Sequence, residues 1–296
     1  MFVILADETK KLCDGVMKSY SVLMSVYYKE NPEFLRQSIY SMIDQTVQTD
    51  NFILVCDGPL TEELDEVIAC FSEKYPTIFN VIRLKVNQGL GHALNVGLRH
   101  CKNELVARMD SDDISVRERC SMQMRKFAEN PELTVVSGTV KEFMGSAEHI
   151  TAVKILPEQH EDIYEYAKMR CPFNHPAVMY RKSAVLCAGG YQEVPLYEVY
   201  DLWVRMLIRG AKAYNFPETL CLMRADSGLY NRRGGWSYLK KVAAFRTRIR
   251  KMHFCTFLQY IIGICGQGIV CLVPSSLRRW IYMHFLRKSN KNVDAN

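Results

Sequence analysis

Between Tyr20 and Val26 the chain is apolar at nearly every position, and polar Tyr27 to Asn31 closes the run. A short continuous run of this kind predicts a strand buried on both faces. Pro32 then opens a helix in which Phe34, Leu35, Ser38, Ile39 and Met42 recur at helical spacing, with proline in the first turn where its missing N–H costs nothing. Asn51 to Cys56 predicts a second strand that stops on Asp57-Gly58-Pro59. Thr61, followed by Glu62 and Glu63, predicts the cap of a helix whose apolar face carries Leu64, Val67, Ile68 and Phe71. A third strand is expected over Asn80 to Val86, a glycine-bearing turn and helix from Asn87 to Leu98, and a fourth strand from Leu105 that ends on Asp110-Ser111-Asp112-Asp113. Strand and helix alternate four times in 113 residues, which predicts an α/β fold with a parallel sheet, helices on both faces, and a ligand at the carboxyl ends of the strands.

The fourth strand end carries the first chemistry. If the backbone stays extended, Asp110 and Asp112 share a face and Asp113 turns away. Two convergent carboxylates suit a hard divalent cation, Mn²⁺ or Mg²⁺, with phosphate oxygens completing its shell. The same acidic turn would also cap a helix starting near Val116, with Asp113 or Ser115 as N-cap. What favours a site is that Asp57, Asn87 with Gly89, and Asp110 with Asp112 all fall at strand ends on one crevice.

Beyond the acidic turn, Arg117, Arg119, Arg125 and Lys126 stud a helix ending at Asn130-Pro131 and are read as its solvated face. Thr134 to Thr139 predicts another strand, and residues 141–160 carry little signal. His175 lies between Pro172 and Pro176, on a backbone with restricted freedom. Leu202, Trp203, Met206 and Leu207 mark an amphipathic helix whose first turn holds Glu198 and Asp201 on one face. Those carboxylates suit either the helix dipole or a base at the mouth of the crevice.

Four stretches in order carry a resemblance: Ser21-Val22-Leu23-Met24-Ser25-Val26, the Asp57-Gly58 strand end, Asn87-Gln88-Gly89-Leu90-Gly91 with Ala93-Leu94-Asn95, and Ala107-Arg108-Met109-Asp110-Ser111-Asp112-Asp113. Together they resemble the nucleotide-sugar domain of family 2 glycosyltransferases, nearest to the bacterial surface-polysaccharide enzymes of the amylovoran, capsule and O-antigen type, over residues 20–250. The resemblance implies a GT-A fold, with a mixed, mainly parallel sheet flanked by helices, and a nucleotide-diphosphate sugar donor of the UDP type. It implies inverting transfer to a saccharide acceptor on a lipid carrier. Asp110 would lie near the donor ribose, Asp112 on the metal and Asp57 beside the base, with Asn87, Gly89 and Arg108 also around the donor. His175 sits in a stretch similar to the subgroup's Asn-Pro-Phe-Asn-His, which places it at the site. Arg232-Arg233-Gly234-Gly235 is similar to the subgroup's Arg-Arg-Gly-Gly, and two guanidiniums on a glycine loop suit a diphosphate. The family carries Glu-Asp where this chain has Glu198-Val199, and valine cannot take a proton. The base is therefore expected to be Glu198 or Asp201, or else transfer is impaired and the protein binds donor only. A dinucleotide oxidoreductase is the rival enzyme: Gly89-Leu90-Gly91 opens a helix and Asp110 lies about twenty residues on, but the third glycine is missing and Asp112 is left without a task.

The expected organisation is an N-terminal extension (1–19), a nucleotide-sugar half (20–140), an acceptor half of the same domain (141–250) and a helical tail (251–296). At 296 residues, 48% hydrophobic and 24% charged, the chain is globular. Its net charge of +6 is concentrated between Arg232 and Lys291, which favours an anionic surface, and no nucleic-acid motif is present. None of the eleven cysteines sits in a CxxC pair or at a zinc spacing, which reads as buried thiols in a reducing cytoplasm. Met1 to Ala6 is too short, and wrongly flanked, for a signal peptide. Phe254 to Val273 is uncharged and Ser275 to Lys288 is basic and amphipathic, so the tail is expected on the inner face of the membrane, lying in its plane, with a true span or a helix packed on the catalytic domain as alternatives.

Overall fold

The computed structural model describes residues 19–225 and 235–273. The extension before Ser19, Arg232 and Arg233, and residues 274–296 lie outside the described residues. The chain begins β1 (Tyr20–Val26), α1 (Pro32–Ile43), β2 (Asn51–Cys56), α2 (Glu62–Lys74), β3 (Phe79–Arg83), α3 (Leu90–His100) and β4 (Leu105–Met109). β5 (Ile114–Ser115), α4 (Arg119–Glu129), β6 (Leu133–Phe143), β7 (Ile150–Lys154), α5 (His160–Ala167), a 3₁₀ turn (His175–Ala177), β8 (Met179–Arg181), α6 (Lys182–Cys187), α7 (Glu198–Ile208), β9 (Lys212–Arg224), α8 (Trp236–Lys251) and α9 (Phe257–Leu272) follow.

Among the described residues one nine-stranded sheet runs β3-β2-β1-β4-β8-β6-β9-β5, with β7 on β6. The first four strands in that order are parallel, β8 is antiparallel to both β4 and β6, and β9 is parallel to β6. The sheet is thus mixed, as expected. The apolar runs divide by alternation: Val22, Met24, Phe52, Leu54, Leu105 and Ala107 pack under α1, α2 and α4, while Leu23, Ile53, Val55 and Val106 pack against α3 and α7. That double burial is why β1, β2 and β4 lack an apolar/polar alternation. Pro32 follows an Asn31 cap that accepts from Glu33 and Phe34 N–H, and Thr61 caps α2 by accepting from Leu64 N–H.

Several expectations shift. β3 ends at Arg83, three residues early. β4 ends at Met109, so Asp110 to Asp113 form a bend and not an extended strand. The helix expected at Val116 starts at Arg119, because Ile114 and Ser115 pair with Leu222 and Cys221 of β9 first. β6 is eleven residues long, and the weakly patterned stretch after it contains β7. The division at 140 falls inside β6, whose strand neighbours come from residues 150–224, so both halves share one sheet.

Candidate functional site

At the end of β2 the buried Asp57 is turned toward the loop that follows β3. Its two carboxylate oxygens accept from the backbone N–H of Gln88 at 2.8 Å and of Gly89 at 2.9 Å, and Asn87 Nδ2 donates back to the Asp57 carbonyl at 3.1 Å. Gly58, at φ +90°, presses so near this loop that a Cβ there would lie 2.7 Å from the Asn87 nitrogen. Gly89, at φ +88°, is the N-cap of α3, a conformation few other residues adopt. Asp57 therefore shapes the loop from inside, and Asn87, Gln88 and Gly89 present its outer surface.

The acidic bend is stitched at every residue. Arg108, fully buried on the Val106 side of β4, ion-pairs with Asp110. Ser38 Oγ donates to the Asp110 carbonyl at 2.6 Å, and the Ser111 hydroxyl donates to the Glu30 carboxylate. Asp113 is buried and accepts from Arg224 N–H at 2.7 Å, while Arg224 Nε donates to the Asp112 carbonyl at 3.0 Å. The Arg224 guanidinium also stacks over Phe34 at 3.6 Å and donates to Gln37 Oε1 at 3.0 Å. Burial, with Asp110 and Glu30 close by, pushes the Asp112 carboxyl up to about 7. Burial, with the Asp110 and Asp112 carboxylates close by, raises Asp113 well above the usual carboxylate range.

Among the described residues no three His, Cys, Asp or Glu side chains converge as a complete metal-ligand group. Asp112 is nevertheless a carboxylate crowded by the like charges of Asp110 and Glu30, and the nearby Arg108 guanidinium is already paired with Asp110. Such a carboxylate fits a hard cation whose remaining ligands come from a phosphate or water.

Behind the bend, His175 Nε2 lies 3.2 Å from Tyr191 Oη, and its ring meets Trp203 edge to face. Burial and the nearby Arg108 charge drive the His175 pKa well below its ordinary value, so it is a neutral imidazole. The structure thus places His175 beneath the site, beside Arg108. Tyr191 joins this layer to a cleft of about 330 Å³ whose lining includes Gly89, Gly91, His92, Asn95, Tyr191 and Glu198. Glu198, at the first position of α7, is half-buried on its wall.

Asp201 has a different role from the one its spacing suggests. It is fully buried, with Oδ2 at 2.7 Å from Arg205 Nε and Oδ1 at 2.5 Å from Arg248 Nε. Arg205 also donates to the carbonyls of Ala188 and Gly190, and Arg248 donates to Gln192 Oε1 at 2.5 Å. Asp201 anchors the 188–192 loop and is buried away from the cleft lining. Val199 is partly buried against the core that contains Ala93, Leu94 and Trp203.

Three residues that support the site were not singled out from the sequence as site residues. Asn95 holds the Tyr191 backbone by both ends of its amide, donating to the carbonyl at 2.7 Å and accepting from the N–H at 2.9 Å. Arg119, read as solvated, is fully buried and donates to the carbonyls of Arg108, Pro176 and Val178. Arg224 lies 111 residues from the carboxylate it serves. Only Asn95 had a hint, as an amide inside the apolar Ala93-Leu94 and Gly97-Leu98 face of α3.

The glycosyl transferase family 2 model matches residues 21–186. A relative from Erwinia amylovora, the amylovoran biosynthesis glycosyltransferase AmsE, is 39% identical across 89% of this chain and 97% of its own. A UDP-Gal:alpha-D-GlcNAc-diphosphoundecaprenol beta-1,3-galactosyltransferase from Escherichia coli is 34% identical across 96% and 99%. Among solved structures, the mannosyltransferase PcManGT from Pyrobaculum calidifontis, in complex with GDP-Man and Mn²⁺, superposes with a TM-score of 0.59 at 13% identity, over 93% of this chain and 79% of its own. S. aureus TarS 1-349 in complex with UDP-GlcNAc gives 0.56 at 14%, over 90% and 71%.

Proposed function

Because the chain belongs to glycosyl transferase family 2, a family of sugar-transferring enzymes, we propose that it moves a hexosyl group from a UDP-sugar to a saccharide on a lipid diphosphate, in bacterial surface-polysaccharide synthesis. The observation that carries the reading is that the loop fastened by Asp57 and Glu198 at the start of α7 line one cleft, while the acidic bend ends β4 at the same edge of the parallel strands. The names of the Erwinia and E. coli relatives support the acceptor and donor classes.

In this reading the nucleotide lies along Asn87 to Gly89 and the ribose near Asp110. Asp112, with Asp110 and Glu30 beside it, would hold a divalent cation, Mn²⁺ or Mg²⁺, which when bound neutralises the charge that grows on the departing diphosphate. Arg108 fixes the Asp110 carboxylate by its ion pair, and Arg224 fixes the bend from below. The acceptor hydroxyl enters by the cleft. Its oxygen bonds to the anomeric carbon as the carbon–oxygen bond to the diphosphate breaks, the electron pair leaves on the diphosphate, and the proton passes to the Glu198 carboxylate. Attack opposite the leaving group inverts the anomeric centre.

The test is a panel of UDP-, GDP- and dTDP-sugars with a lipid-diphosphate-linked monosaccharide, with Mn²⁺, with Mg²⁺ and with chelator. Metal-dependent turnover of a UDP-sugar, abolished in Asp112→Ala, is expected. Glu198→Gln should lower kcat by about 10²–10⁴-fold at little-changed donor affinity. Full turnover in chelator or by Asp112→Ala would overturn the donor-site assignment. An unimpaired Glu198→Gln would overturn the base.

A further inference from the structure

The last described helix faces the wrong way round for a protein in water. α9 turns its small and polar residues inward: Tyr260 Oη lies 3.2 Å from Thr247 Oγ1, Gln267 Oε1 accepts from Arg246 Nε at 3.1 Å, and a Cβ on Gly263 would already touch that guanidinium at 3.0 Å. Arg246 is itself buried and donates to the carbonyls of Lys168 and Met169, which pins the helix pair to the end of α5. The apolar residues point outward. Phe257 is 65% exposed, Leu258 68%, Ile262 52% and Ile269 63%, and their spacing keeps them on one side of the helix. Gly235 N–H donates to the Cys271 carbonyl at 3.0 Å, which sets Trp236, 69% exposed, beside the far end of the stripe. A stripe of this size on a soluble surface marks an interaction site.

We infer that the outward side of α9, with Trp236, is a docking surface for an anionic phospholipid bilayer, in which the helix lies in the plane of the membrane. Charge selects this occupant. From residue 227 to residue 293 the chain has thirteen Lys and Arg and not one Asp or Glu, and Lys240, Lys241 and Lys251 are exposed on the neighbouring α8. A second copy would bring the same basic helices together, and residues 274–296 are basic as well, so neither complements the surroundings of the stripe. An anionic headgroup layer does, with apolar side chains entering the acyl boundary and Trp at the interface. α9 has sixteen residues, and no helix among the described residues is long and apolar enough to cross a membrane, so the contact is lateral. The surface stands independently of donor, acceptor and base.

The test is flotation of the full chain with vesicles of phosphatidylcholine and phosphatidylglycerol (3:1), and with phosphatidylcholine alone. Strong binding to the anionic vesicles, weakened several-fold by 0.5 M salt or by the neutral lipid, is expected. Leu258→Glu/Ile262→Glu, and separately Ile269→Glu, should each lower the partition at least tenfold at unchanged melting temperature, since these side chains are exposed. Wild-type flotation by both variants overturns the inference. So does a dimer lost in the variants while flotation persists, which assigns the face to a second copy. A wild type that does not float, with variants that melt earlier, assigns the stripe to the chain's own C-terminal residues and overturns it too.

Discussion

Glu198 and Asp201 stand nearly one helical turn apart in opposite surroundings. Glu198 is on a cleft wall with water on one side, whereas Asp201 is sealed between two guanidiniums. Removing one partner of a buried ion pair leaves uncompensated charge and costs about 3–5 kcal/mol. Asp201→Asn is therefore expected to lower unfolding free energy by about 3 kcal/mol and to loosen the 188–192 loop, while Glu198→Gln melts like wild type; a denaturant titration of both separates the roles. Asp112 and Asp113 give a second expectation. Their folded pKa values lie above those of the unfolded chain, so the native state binds protons more tightly than the unfolded one, and stability is greatest at low pH and falls as pH rises from about 4 through about 7. In metal-free buffer the carboxylate contribution to melting temperature should thus decline between pH 5 and pH 8, and Asp112→Asn should flatten that decline. Added Mn²⁺ should raise the melting temperature more at pH 8 than at pH 5.5, where protons compete for the same carboxylates.

α3 shows how an element carries precision from the core to the site. Gly97 lets it lie so close to the sheet that a Cβ would meet Leu23 Cδ1 at 2.4 Å and Val55 Cγ2 at 2.7 Å. Two residues earlier Asn95 grips Tyr191, and the N-terminus carries the Gly89 loop. Gly97→Ala should cost about 1–3 kcal/mol by overpacking and weaken donor binding as the helix lifts, measurable by calorimetry with UDP. The elements most readable in the sequence were those with a hard stop: apolar runs ended by Asp57-Gly58 or by Asp110, and helices begun at Asn31-Pro32 or Thr61. Those that eluded reading lacked one. β6 continues through Lys141 and Glu142 because pairing with β7 and β9 supplies the hydrogen bonds whatever the side chains, and β5 is two residues that exist only through β9.

At the scale of the whole molecule, the first half of the sheet was readable because each βα unit makes its contacts locally, and its strand ends pointed to the crevice. The supports of that crevice were hidden because they arrive from far along the chain. Arg224 reaches Asp113 from the end of β9, and Arg119 ties β4 to carbonyls at Pro176 and Val178. A guanidinium that satisfies backbone carbonyls has the same letter code as one that faces water. The two halves of the sequence are also interleaved in the sheet, since β8 sits between β4 and β6 and β9 closes on β5. Hybrid enzymes made by joining the front of one relative to the back of another would sever hydrogen-bonded strands at the seam, so new sugar specificities have to be grafted through exchange of the rim loops, with the sheet left whole.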